Sequence, residues 1–170
     1  MRQQKRGKLS VSGEAFWRFS LAFYSRPGIA EALIGLQNRA GLDVNLILFA
    51  IWRGIVHGHR LDERELTVAE AATAPLRREV VGPLRELRRR LKGEGDPDLQ
   101  ALRPRIAALE LAGERRAQSR LAATVESRKV CGGDRRIVAG ANLALCLGPE
   151  AQSPEGQVLD RALDDFLAIG

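Results

Sequence analysis

The chain has 170 residues, with 27 Lys and Arg against 21 Asp and Glu, a formal net charge of +6 and a pI of about 10.1. This length carries one domain with a real core, and 45% hydrophobic with 28% charged residues is a globular balance, not a disordered or fibrous one. Two cysteines make neither a disulfide framework nor a zinc cluster, no stretch of about 18 uncharged apolar residues offers a membrane span, and a reducing cytoplasm is the expected location.

Helix formers dominate and β-branched residues are sparse, so the expected fold is all-α. It is read as a compact multi-helix bundle with a central buried helix and a long helical hairpin. Residues 1–11 carry Arg2, Lys5, Arg6 and Lys8 with no acid and read as a disordered basic tail. One helical domain is expected over 12–170. Ser12 is the expected cap of a first helix, on which Phe16, Phe19 and Phe23, with Trp17 and Tyr24, recur at helical spacing. Ser25-Arg26-Pro27-Gly28 breaks it. Pro27 is the expected first residue of a second helix that runs through Ile29, Leu33, Leu36 and Gln37 to a stop at Gly41.

The third helix is the most distinctive. Asp43 is its expected cap, and Val44, Leu46, Ile47, Leu48, Phe49, Ala50, Ile51 and Trp52 are interrupted only by Asn45. A helix apolar all round is a buried helix, so this one is placed at the centre of the fold. Seven of the eight aromatic residues lie between positions 16 and 52, which locates the specific packing and any pocket there.

Thr67-Val68-Ala69-Glu70 matches a capping box and predicts the next helix start. Pro75 and Pro83 predict breaks or kinks near 74 and 82. Leu84, Leu87 and Leu91 then share one face, with Arg85, Arg88, Arg89 and Arg90 mostly on the others. Gly93 to Gly95 closes this arm, and Asp96-Pro97 opens a long second one with Pro104 as an early kink. The seam Leu99, Leu102, Ile106, Leu109, Gly113, Ala117, Leu121 and Val125 keeps coiled-coil spacing, so the two arms are expected to form an antiparallel hairpin. Cys131-Gly132-Gly133 is a breaker. Ile137 to Leu147 reads as a helix against the core. Ser153-Pro154-Glu155 begins a last helix with Val158, Leu159, Ala162, Leu163 and Phe166 inward.

Candidate chemistry is thin. Asp43 and Asn45 read either as a cap and a structural amide or as a polar pair facing a pocket. His57 and His59 form an H-x-H turn without further His or Cys nearby, so they read as helix-end residues and not as metal ligands. Asp160 and Asp164 lie at i, i+4 with no second acidic motif to face them, and read as a solvated face. Cys131 lies among Arg128, Lys129, Arg135 and Arg136 with no base at hand. No phosphate loop, nucleophile elbow or zinc spacing occurs. From Arg77 to Arg136, sixteen basic residues stand against nine acidic ones. They read as a solvated helix surface or as contacts to an acidic partner; aromatics to stack on bases are absent there.

The segment Phe16-Trp17-x-Phe19-Ser20-Leu21-x-x-Tyr24-x-Arg26-Pro27-Gly28, then Leu36-Gln37, then Asp43-Val44-Asn45-Leu46-x-Leu48-Phe49-x-x-Trp52, resembles a family of small all-helical bacterial proteins of unknown function. Pro83-Leu84-Arg85-x-Leu87-Arg88-Arg89-x-Leu91-Lys92 and Leu109-Glu110-Leu111 fit the same pattern, which covers roughly 14–125. The resemblance implies a compact helical domain and no activity. Because no complete catalytic set accompanies the aromatic cluster and the patterned hairpin, the expectation is a non-catalytic binding or adaptor protein that engages a small ligand or a partner protein. The candidate pocket residues are Trp17, Tyr24, Arg26, Asp43, Asn45 and Trp52, and the candidate partner-binding residues are Arg85, Arg88 and Arg89. No cofactor and no metal are called for. The alternatives are a small helical enzyme with Asp43, Asn45 and His57 in one pocket, and weak nucleic-acid association.

Overall fold

Phe16, Phe19 and Phe23 point their rings to one side of α1 (Val11–Tyr24) and are buried there. That pattern repeats through the molecule. A computed structural model describes residues 11–124 and 133–169, and among them every regular element is a helix. After α1 come α2 (Ile29–Ala40), α3 (Val44–Ile55), α4 (Glu63–Leu76), α5 (Gly82–Arg90), the single turn α6 (Pro97–Gln100), α7 (Arg103–Thr124), α8 (Arg135–Leu147) and α9 (Pro154–Ile169). The architecture is an all-α bundle. No helix among the described residues is long and apolar enough to cross a membrane. The tail over 1–10, Val125, Arg128, Lys129 and Cys131 lie outside the described residues.

α3 is the centre, and every residue from Asn45 to Ile55 is buried. Asp43 caps it, its Oδ1 accepting the Asn45 N–H at 2.9 Å. α8 packs along one side, while α1, α2 and α7 cover others. One core cluster joins these elements through Phe16, Leu36, Phe49, Leu121, Leu143 and Leu159. The rings are arranged specifically: Phe16 stacks on Trp52 at 4.9 Å and meets Phe49 edge-on at 5.9 Å. In α9, Leu159, Ala162 and Leu163 are buried, and Val158 and Phe166 pack half-buried against them.

Several helix boundaries differ from the sequence reading. α1 already includes Val11, so Ser12 lies in its first turn and does not cap it. Pro27 belongs to the turn. Gly28 takes a left-handed φ of 77° there, which ends the chain reversal before Ile29 begins α2. α4 starts four residues before the expected box, because Asp62 and Glu65 form a reciprocal box of their own. Thr67 instead donates its hydroxyl back to the Glu63 carbonyl at 2.8 Å. Neither Pro75 nor Pro83 breaks the arm. Pro75 lies inside α4, and a π-turn over Arg77–Val81 comes just before Pro83, with the Gly82 N–H reaching the Arg77 carbonyl five residues back. Pro104 is the second residue of α7, where its lost donor costs nothing, so it starts that helix and does not kink it.

α4, α5 and α7 do form the hairpin, flanking the core, with α7 also lying along α1. Its seam is rotated from the apolar reading. Ile106, Gly113, Ala117 and Leu121 face inward as expected, but Leu99, Leu102 and Leu109 are exposed. Glu110 and Gln118 are buried on the inward side instead.

The tightest helix contact is between α3 and α8. A Cβ added at Gly54 would stand 2.4 Å from the Ala139 Cα and 2.6 Å from its N. Gly→Ala inside a helix ordinarily gains about 1 kcal/mol of propensity. Here Gly54→Ala must push α8 away and should cost about 2–3 kcal/mol net. We expect the melting temperature to drop by roughly 5–10 °C. A thermal melt with an unchanged or raised midpoint would contradict this packing.

Candidate functional site

Where α1, α2, α3, α5 and α7 meet, the bundle leaves a cavity of about 380 Å³ that opens to solvent. Its walls are largely apolar. Trp17, Leu21 and Tyr24 come from α1, Ile34 from α2, Val44 and Leu48 from α3, and Leu111 from α7. Each follows from helical spacing: Trp17, Leu21 and Tyr24 are one turn apart, on the flank of α1 beside its buried Phe stripe. Trp17 is held from outside by Arg115, whose guanidinium lies 5.6 Å from the ring and pairs with Glu14 at 2.6 Å.

The polar part of the wall is a connected network. Glu110, Glu114 and Gln118 stand at successive i+4 positions of α7 and line the cavity together. Arg85 and Arg88, one turn apart on α5, face them. Arg88 donates from Nε to Glu110 at 2.6 Å, and Arg85 donates from Nε to the same carboxylate at 3.1 Å and from Nη2 to Glu114. The Asn45 amide donates to the other Glu114 oxygen, and the Gln118 amide donates to Asn45 Oδ1 at 2.9 Å. Asn45 and Gln118 are 8% and 2% exposed, so these bonds are made away from water. One acceptor is left over: Gln118 Oε1 is buried without a hydrogen-bond partner. Such a group costs about 1–3 kcal/mol.

The two carboxylates differ in character. Burial raises Glu110, but the hydrogen bonds from Arg88 and Arg85 outweigh it and hold that carboxyl below its usual range. Glu114 goes the other way, pushed up by burial against the pull of Arg85 and Asn45. Burial, with Glu31 nearby, also raises the Tyr24 phenol. Arg89, at the mouth, donates to the neutral Asn38 Oδ1 at 2.9 Å.

The candidate residues named from sequence are partly gathered here. Trp17, Tyr24, Asn45, Arg85, Arg88 and Arg89 all line this cavity, so the pocket set and the hairpin arginines share one site. Asp43 lines a smaller adjoining cavity of about 140 Å³ together with Asn45, Arg85 and Glu114, and it pairs with Arg77 at 3.3 Å. Trp52 is 2% exposed in the aromatic core and does not reach the cavity. Arg26 lies on another face, 5.0 Å over the Phe166 ring and bonded to the Asp165 carbonyl. His57 sits edge-on against Trp52 at 4.4 Å, with burial and then Arg53 lowering its imidazole pKa. Asp43, Asn45 and His57 therefore do not converge. His59 meets Glu65 at 3.0 Å, and no cluster of three or more metal-ligating side chains occurs among the described residues. Asp160 and Asp164 are both engaged by Arg136 at 2.9 and 2.7 Å. Cys146 is half-buried, and desolvation pushes its thiol up to about 12.

Sequence reasoning missed Glu110, Glu114 and Gln118 as site residues. Their i, i+4, i+8 spacing was visible, but polar residues at that spacing ordinarily mark a solvated face.

Glu110 holds two arginines in a partly shielded site. Glu110→Gln should destabilise the fold by about 2 kcal/mol, less than the loss expected for a fully buried pair. The pH dependence has a definite sign. A carboxyl whose folded pKa is lowered adds stability above its unfolded value near 4.5, and loses it as pH falls through the folded value. The gap between wild type and variant in urea melts should therefore be full at neutral pH and shrink below about pH 4.5. A gap constant down to strongly acidic pH would rule out this pairing.

No characterised protein and no solved structure matches the chain. A family profile described as "Protein of unknown function (DUF2390)" matches residues 15–121. Every residue lining the larger cavity falls inside that segment, whereas α8 and α9 fall beyond it. The chain belongs to this family of uncharacterised proteins, DUF2390.

Proposed function

We propose that this chain is a non-catalytic binding protein whose ligand site is the cavity between α1, α2, α3, α5 and α7. One observation carries the reading. A void of about 380 Å³ stands open beside a buried acceptor, Gln118 Oε1, that nothing in the protein satisfies. A buried acceptor without a donor costs stability, and a ligand that brings a donor recovers it. The volume lies in the range of small-molecule sites, and largely apolar walls with a few convergent polar groups are what such sites present. Arg85 and Arg88 support the same reading, since Glu110 and Glu114 orient them along the wall. Apolar side chains continue outward at the mouth, where Leu21, Ile34 and Leu111 are 52%, 44% and 56% exposed.

Native mass spectrometry on protein purified gently from its own cells tests this. We expect a retained mass of a few hundred daltons. Leu21→Trp together with Leu111→Trp places two indoles across the mouth at exposed positions, where surface changes ordinarily stay within about 0.5 kcal/mol. That double variant should melt like wild type and come out without the added mass. A bare wild-type protein, or equal retention by both, removes the ligand-site reading. A retained second polypeptide that the variant releases would make the occupant a partner protein.

A further inference from the structure

The polar groups of the cavity differ in exposure: Gln118 and Asn45 are buried, Arg85 and Arg88 partly so, and Arg89 is exposed. At the buried end Asn45 links Glu114 to Gln118. Glu114 accepts from Arg85 Nη2 and from the Asn45 amide nitrogen. Asn45 Oδ1 then faces Gln118 and takes its amide nitrogen, which leaves Gln118 Oε1 buried without a hydrogen-bond partner. Gln118 is 2% exposed, so the missing donor is not bulk water. Toward the exposed end Arg88 pairs with Glu110, and the exposed Arg89 meets the neutral Asn38 oxygen. Between the ends lie Trp17, Tyr24, Val44 and Leu48. From Glu110, which Arg88 contacts, to Gln118 is eight residues of helix, a rise of about 12 Å.

We propose that the ligand is an elongated, apolar monoanion, with an O–H or N–H donor at its buried end for Gln118 Oε1 and its acidic group at Arg88 and Arg89. The proposal rests on the ligand-site reading above. Arg89 is exposed beside a neutral oxygen and accessible to an acidic group, and a ligand without a far donor would bury Gln118 Oε1 still unpaired. Guanidinium groups suit a carboxylate or phosphate head, since each presents several donors in one plane.

The test uses three flexible probes that differ in one end at a time: 8-hydroxyoctanoate, octanoate and methyl 8-hydroxyoctanoate. Each is titrated into the full chain at neutral pH by calorimetry, with Trp17 fluorescence as a second readout. We expect 8-hydroxyoctanoate to bind tightest, and loss of either end to weaken binding on the order of tenfold. Gln118→Leu should abolish the preference for the hydroxyl while keeping that for the acid, and Arg89→Gln should do the reverse. If Gln118→Leu fails to fold, the wild-type comparison of the three probes decides alone. Equal binding of octanoate and 8-hydroxyoctanoate would overturn the deep donor, and equal binding of the methyl ester would overturn the anion site. Absence of binding by all three at millimolar concentration would overturn this ligand class. That failure is separable from failure of the site itself, which the Leu21→Trp and Leu111→Trp pair reports by retained mass.

Discussion

A helix that is buried at every position from Asn45 to Ile55 has no solvent face, so its neighbours must surround it. The rest of the structure follows from meeting that requirement. α1 contributes its Phe stripe, α2 its leucines, α7 its small and apolar inner side, and α8 the closest approach, permitted because position 54 carries no Cβ. α8 and α9 lie beyond the segment that matches the family, yet Ala139, Leu143, Leu147, Leu159 and Leu163 are part of the same core. Physically they are not an appendage, since removing them would expose one side of a helix that has no polar side to offer.

The same constraint explains the site. Asn45 is the one polar interruption in the apolar run that begins at Val44, and a buried amide must find partners or carry a penalty comparable to a lost hydrogen bond. It finds them on α7, in Glu114 and Gln118. The partly buried Glu114 carboxylate in turn favours a cation, which draws in Arg85 and ties α5 to the wall. Arg88 and Glu110 extend the chain of pairs toward solvent. The polar network is thus the consequence of one amide placed on the central helix, and the cavity lies along it. The hairpin arginines, which as a sequence feature suggest an outward surface, are turned partly inward by these carboxylates.

Much of the fold is legible in the sequence. The all-round apolar character of α3, the Asp43 cap, the Gly41 stop, the Ser153-Pro154 start of α9 and the hairpin are local signals, each written within a few residues. Trp17, Tyr24 and Asn45 line the cavity, and the sequence places all three in the aromatic-rich region around α3. Pro75 sits within α4 and Pro83 follows a π-turn, so the arm stays helical past both prolines, which nothing in the local sequence declares. The α7 seam was misread because apolar spacing selects Leu109, whereas the buried residue is Glu110, stabilised by arginines more than twenty residues away.

The sequence by itself determined which segments are helical, which helix must be central and where the aromatic packing lies, because periodicity and capping act within one or two turns. Only the tertiary structure decided which side of α7 faces in, that Trp52 and His57 fill the core while Arg26 joins another face, and that Asn45, Gln118, Glu114 and Arg85 form one wall. Those choices depend on pairs of residues tens of positions apart. Their energies come from mutual desolvation and hydrogen-bond partners, which exist only once the helices have been brought together.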